Sequence, residues 1–313
     1  MAQEWQIDGP KVLDIGDEFE TVRKLKLGLV AGRVDIVTHD DSPTARIEVH
    51  EVQGKPLLVS WDGSTLKITH VKDQDGSLWD SVKLIGTDKG KRRVRVSISV
   101  PTTTHINAST VSAEALINGV RATVKANTVS GSLTLDDIVG DVNANTVSGE
   151  IECHSLAGDF KGNTVSGALT VQASRLGHIN LNTISGDITL DLTDGRAQIQ
   201  SNSVSGDVTV RIPQGGGYDV AAHTVSGHVV IDGQSMHGYG PHQGGGQLSD
   251  GDKSLVIKAN SLSGNVVVLR ATGVQDTAPN VQDSAPNVQD TAPTDQDTAP
   301  NGQHTVPGTG NAG

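Results

Sequence analysis

Apolar and polar residues alternate along most of the chain, and the alternation is cut at short intervals by one recurring phrase. It reads STVSA at 109–113, NTVSG at 127–131, 145–149 and 163–167, NTISG at 182–186, NSVSG at 202–206, HTVSG at 223–227 and NSLSG at 260–264. Successive copies stand 18, 18, 18, 19, 20, 21 and 37 residues apart. After each closing glycine the second and fourth residues are apolar, beginning with Leu133/Leu135 and Ile151/Cys153. Alternation of period two predicts half-buried strands. The expected inward column is Leu133, Ile151, Leu169, Ile188, Val208, Val229 and Val266.

Parity decides how the strands connect. Val129, Gly131, Leu133 and Leu135 share odd parity; Ile138, Gly140, Val142 and Ala144 share even parity; Val147 to Cys153 are odd again. Two flips per repeat predict two corners, one at Asp136-Asp137 and one at Asn145-Thr146, both made of turn-forming residues. Two strands and two corners in 18 to 21 residues describe one coil of a flattened parallel β-solenoid, with coils ~4.8 Å apart along its axis. An antiparallel sandwich has no reason to return one phrase to one corner. Stacked coils place Asn127, Asn145, Asn163, Asn182, Asn202 and Asn260 in one column, where amides can hydrogen-bond as a ladder.

The same alternation starts earlier, in Leu25, Leu27 and Leu29 and in Val94, Val96, Ile98 and Val100. Residues 1–100 are therefore expected to be an N-terminal β segment continuous with the solenoid, its Trp5, Phe19, Trp61 and Trp79 capping one end. Residues 101–270 hold the repeats, with 233–252 (GQSMHGYGPHQGGGQLSDGD) expected to leave the stack as a flexible loop. The strand Asn265–Arg270 then ends the sheet with no following coil, which predicts self-association through that C-terminal coil. From 271 to 313 the heptads VQDTAPN, VQDSAPN, VQDTAPT and DQDTAPN, one Pro each, predict a disordered tail.

Composition narrows the function. Aromatic residues are 2 % of the chain, so the core is expected to be small aliphatic side chains packed repetitively. The formal charge of −12 argues against a partner held by its phosphates, and so against nucleic acid. The single Cys153 allows no internal disulfide. No stretch approaches the ~20 apolar residues of a membrane helix and no signal peptide is evident, which makes the cytoplasm the expected location.

The NTVSG phrases separated by GDV-like strands, preceded by LVAGRVDIVT and VRVSISVPTTTHINASTVSA, resemble a bacterial β-strand-repeat family of unknown function labelled "putative adhesin". The resemblance covers roughly residues 20–270 and implies an all-β repeat fold. Some relatives are associated with the cell envelope, which implies a surface role.

Several residue sets bear on chemistry. Cys153 and His154 are neighbours on a strand and so face opposite ways, which leaves the thiol a core residue. His223, His228, His237 and His242 fall within 20 residues but lack an accompanying carboxylate pattern, so no metal or other cofactor is expected. Asp187 and Asp207 hold one outward position on consecutive coils, near the ~5 Å separation of a retaining glycosidase pair. They are the catalytic residues of the alternative reading, a carbohydrate-processing β-helix enzyme. Lys89, Lys91, Arg92, Arg93 and Arg95 form a basic run without interleaved aromatics, more suited to a strand edge than to bases. Thr134, Thr170, Thr189 and Thr209 form an outward near-column, interrupted by Glu152, Asp187 and Asp207. The sequence thus points to a non-enzymatic scaffold or binding protein with a protein or glycan partner.

Overall fold

A computed structural model describes residues 3–17, 19–70, 92–237 and 244–271. The chain divides at Gly273, and residues 274–313 form a second unit. The expected heptad tail, Trp79, Lys89, Lys91 and His242 all lie outside the described residues.

The strands are β1 (Gln3–Ile7), β2 (Lys11–Ile15), β3 (Lys24–His39), β4 (Ala45–Gly54), β5 (Leu57–Trp61), β6 (Thr65–Thr69), β7 (Arg92–Pro101) and β8 (His105–Asn118). The repeats supply β9 (Val124–Thr128), β10 (Leu133–Val139), β11 (Val142–Thr146), β12 (Ile151–Ser166), β13 (Leu169–Ser185), β14 (Ile188–Leu192), β15 (Ala197–Ser205) and β16 (Val208–Ile212). Last come β17 (Tyr218–Ser226), β18 (Val229–Ile231), β19 (Gln234–Met236), β20 (Gly244–Asp250), β21 (Leu255–Ser263) and β22 (Val266–Arg270).

They build a flattened β-solenoid with two facing sheets. In the first sheet β8, β9, β11, β12, β13 and β15 pair in parallel in that order. In the second, β8, β10, β12, β13, β14 and β16 do the same. Long strands such as β12 and β13 turn a corner and serve both sheets. Register follows the phrase: Leu133, Ile151, Leu169, Ile188 and Val208 lie opposite one another in sequence. All are at most 2 % exposed, so each contributes roughly 1.5–3 kcal/mol by burial.

One corner is where the parity places it. Asp137, Ser155 and Ala173 have φ of 48°, 54° and 49°, so left-handed backbone turns the chain there in three successive coils. The other corner differs. Thr146 faces inward and is buried, Val147 faces outward, and Gly149 is inward again, so facing changes at Val147-Ser148 rather than at Asn145-Thr146. Thr146 Oγ1 accepts the Gly149 N–H at 2.8 Å, a bond that folds the corner over the threonine.

The C-terminal end departs from the expected order. β21 and β22 are threaded between the two preceding coils: β21 pairs with β15 and β17, and β22 with β16 and β18, all in parallel. β22 is therefore an inner strand, paired with β16 along its length and with β18 over Val266–Val268, which removes the open edge expected of the last coil. Val229, nominally between Val208 and Val266 in the column, stacks beyond Val266. Nor does 233–252 simply leave the stack. Its described parts form β19, antiparallel to β18, and β20, antiparallel to β17, and so finish the two sheets. Arg270 clasps this end. Its Nε donates to Asp232 at 2.8 Å, its Nη2 to Asp250, and its guanidinium lies 5.0 Å from the Tyr218 ring centroid.

The N-terminal end uses the same device. β7 returns between β3, with which it is parallel, and β4, with which it is antiparallel; β2 closes that sheet against β4. In the other sheet β6 pairs with β3, β5 with β6, and β1 with β5. Trp61 is buried here, its indole N–H donating to Glu20 at 2.8 Å, whereas Phe19 is 93 % exposed and takes no part in the cap.

His70, just past β6, is almost fully buried, and burial, with Arg92 second, pushes its imidazole down from 6.5 to about 4. It is neutral in the fold down to that value, while in the unfolded chain it takes a proton below about 6.5. The unfolded state thus binds more protons between those values, and stability falls as pH drops through that window. At pH 4.5 the loss relative to pH 7 should be about 2–3 kcal/mol. Urea unfolding at the two pH values should show it, with His70→Leu removing that part of the difference. An unchanged difference in the variant would mean that His70 titrates normally.

No helix of the described residues is long and apolar enough to cross a membrane.

Candidate functional site

Outward side chains on the first sheet fall into three axial columns. Nearest the phrase corner stand the asparagines. Asn145 Nδ2 donates to Asn127 Oδ1 at 2.9 Å, Asn163 to Asn145 at 2.7 Å, Asn182 to Asn163 at 2.9 Å, Asn202 to Asn182 at 3.0 Å and Asn260 to Asn202 at 3.1 Å. The last step links residues 58 apart in sequence because β21 is the threaded strand. His223 occupies the next rung, opposite Asn260.

The middle column reads Lys125, Asn143, Lys161, Asn180, Gln200 and Lys258, each opposite the next. Asn145 Nδ2 also donates to Asn143 Oδ1 at 2.9 Å, and Asn182 Nδ2 to Asn180 Oδ1 at 2.8 Å. The ladder thus orients the neighbouring amides. The third column includes Thr123, Asp141, Asp159, His178, Gln198 and Val256. Asp159 Oδ1 accepts the His178 N–H at 3.0 Å and faces its Nδ1 at 3.1 Å. The middle and third columns line a shallow trough running along the axis, floored in part by Val142, Phe160, Ile179 and Ile199.

The other candidates are dispersed. Asp187 and Asp207 do neighbour each other at the glycine corner, but each carboxylate receives backbone donors. Asp187 Oδ1 accepts the Asp207 N–H at 2.9 Å, and Asp207 Oδ1 the Asn265 N–H at 2.7 Å. Asn265 Oδ1 continues the series by accepting the His228 N–H at 3.0 Å. These side chains satisfy the corner of the next coil, a sufficient reason for their spacing. Cys153 is buried, and burial pushes its thiol well above the ordinary range, which disfavours the reactive thiolate. His154 points outward to Asp136 at 3.1 Å and Ser155 at 2.9 Å.

His223, His228 and His237 belong to no metal-ligating group among the described residues. Arg92, Arg93 and Arg95 lie along β7, an inner strand of the N-terminal end rather than a sheet edge. Thr134, Thr170, Thr189 and Thr209 share one column with Glu152 on the outer side of the second sheet.

Sequence reasoning missed two features. The middle column has no fixed residue type, so the trough is visible only once register aligns it. The apolar residue of the phrase is also outward: Val147, Val165, Ile184, Val204, Leu262 and Val225 are 37–53 % exposed and make an aliphatic ridge beside the ladder. Continuing the even inward parity through Thr146, with the corner two residues later, reveals it.

A family model described as Toastrack DUF4097 matches residues 24–269. No curated protein matches the chain. Among solved structures, a "putative cell adhesion protein" from Clostridium sporogenes is 13 % identical, the match covering 84 % of this chain and 100 % of that one, with a TM-score of 0.29. A "putative lipid binding protein" from Parabacteroides distasonis is 11 % identical over 84 % of this chain and 97 % of its own, with a TM-score of 0.31. A "putative adhesin" from the same species is 11 % identical over 84 % and 98 %, with a TM-score of 0.26.

Proposed function

The chain belongs to the Toastrack DUF4097 family, and from that premise we propose that it is a non-enzymatic binding protein, a β-solenoid scaffold that holds an extended partner along the trough of its first sheet. The observation that carries this reading is the asparagine ladder, which links six coils and orders the amides beside it. A straight, preorganised row of polar groups costs little further ordering on binding and suits a ligand that repeats along its own length. An adhesin-like role is one use of such a surface. The hydrolytic alternative would require Asp187 and Asp207 to act on a bond, yet both are engaged by backbone N–H groups.

The test is to immobilise the full chain and pass over it a panel of neutral and charged polysaccharides and polypeptides. At least one class should be retained and recovered at its original length. Retention of none, or cleavage of a glycan that Asp207→Asn abolishes, would overturn the reading.

A further inference from the structure

The middle column of the trough carries an imbalance of donors over acceptors. Asn143 Oδ1 and Asn180 Oδ1 are already occupied by amides of the ladder, which leaves their NH₂ groups to face the trough. Lys125, Lys161 and Lys258 are exposed, and none makes an ion pair among the described residues. By contrast Arg33, Arg46, Arg121, Arg211 and Arg270 are each paired with a carboxylate. In a chain of net charge −12, three exposed lysines aligned in one column make a local row of positive charge. Lys125 and Lys161 are two coils apart, about 10 Å, and Lys161 and Lys258 three coils apart, about 14 Å.

The opposite rim differs in kind. Asp141, Gln198 and Thr123 offer acceptors, and Asp159 is partly occupied by His178. A ligand that fits presents negative charge along one side and hydrogen-bond donors along the other. Polyphosphates lack donors and neutral glycans lack the charge, while the N–H donors of an extended acidic peptide alternate between its two edges instead of lining one. The coil repeat also matches roughly the advance of one pyranose ring along an extended chain.

We propose that the trough binds a linear acidic polysaccharide of the polyuronate class, laid parallel to the solenoid axis, with its carboxylates on the Lys125, Lys161 and Lys258 ammonium groups and its hydroxyls toward Asp141. This rests on the binding reading above and specifies its ligand. Attraction to exposed lysines is screened by salt, so binding weakens as ionic strength rises.

The experiment measures binding of polygalacturonate to the full chain in calcium-free buffer, with dextran and poly-aspartate as comparators. Polygalacturonate should bind, and dextran and poly-aspartate should bind far more weakly. Lys125→Gln/Lys161→Gln/Lys258→Gln should cut affinity at least tenfold with an unchanged melting temperature. Arg211→Gln, which removes a charge on the other sheet, should leave binding as it was. Equal binding of poly-aspartate, equal binding of dextran, or indifference to the lysine substitutions would overturn the ligand assignment. So would failure of polygalacturonate to bind while another polymer of the panel is retained, and in those cases the broader binding function stands. Retention of no polymer at all would overturn both.

Discussion

Gly149→Ala should destabilise the solenoid by about 3–5 kcal/mol, among the largest effects available to a single added methyl group. A Cβ at Gly149 would lie 1.9 Å from the carbonyl oxygen of Gly131 on the preceding coil and 3.0 Å from Thr146 Oγ1. The obstacle is backbone, so no rotamer change relieves it. The coils would have to separate at that corner, and the parallel ladder beside it would stretch. Gly167, Gly186, Gly206 and Gly264 meet the same obstacle, each with a glycine carbonyl 2.2–2.3 Å away. Urea unfolding of Gly149→Ala beside Ser148→Ala, an exposed neighbour expected to change stability by less than about 0.5 kcal/mol, measures the difference. Equal midpoints would show that the coil spacing is soft enough to accept a side chain there.

The second large effect concerns the end of the stack. Excising residues 216–252 joins Ile212 to Leu255 through five residues, close to the four that connect Leu192 to Ala197 in the coil before. β21 and β22 keep their pairing with β15 and β16, but their far edges lose β17 and β18. The bared edge is Val266-Val267-Val268, β-branched, uncharged and without proline, which is the composition that pairs edge to edge. In the intact protein β18 covers this edge and the three-residue β19 ends that sheet, while in the other sheet the terminal strand β20 starts with three glycines and has its Gln247 and Ser249 tied to Asp219, so both ends are poor templates for further pairing. The excised protein should therefore form end-to-end oligomers at micromolar concentration by light scattering, and Val267→Lys should reverse this. A monomeric excision variant would show that the terminal coils protect nothing.

The repeat carried the fold into view because each phrase position has a physical task that recurs. Asn bonds along the axis, the Thr or Ser after it is buried at the corner, and Gly admits the neighbouring carbonyl. Alternating positions such as Ile151 and Cys153 identified the inward face of the second sheet because nothing interrupts the strand between them. Corners defeat the same reasoning. Parity says that facing has changed but not at which residue, so it puts this corner two residues before the outward Val147-Ser148 pair where the chain turns. The threaded coil was illegible for a different cause. Adjacent copies of a repeat are assumed to be adjacent in space, and the 37-residue gap before Asn260 shows the length of an excursion without showing that the chain comes back inside it. The trough was beyond reach since Lys125, Asn143 and Lys161 share a column and no residue type.

Threading also sets the order in which the protein can be completed as it leaves the ribosome. Residues 218–231 are synthesised before 255–270, yet β17 and β18 make their parallel contacts with β21 and β22. The coil that ends the stack therefore has no native seat when it emerges, and must wait for about 40 further residues to appear and slip in ahead of it. Until then β15 and β16 stand as the growing edge, the moment at which a nascent chain of this architecture is most open to capture by a neighbour on the same message.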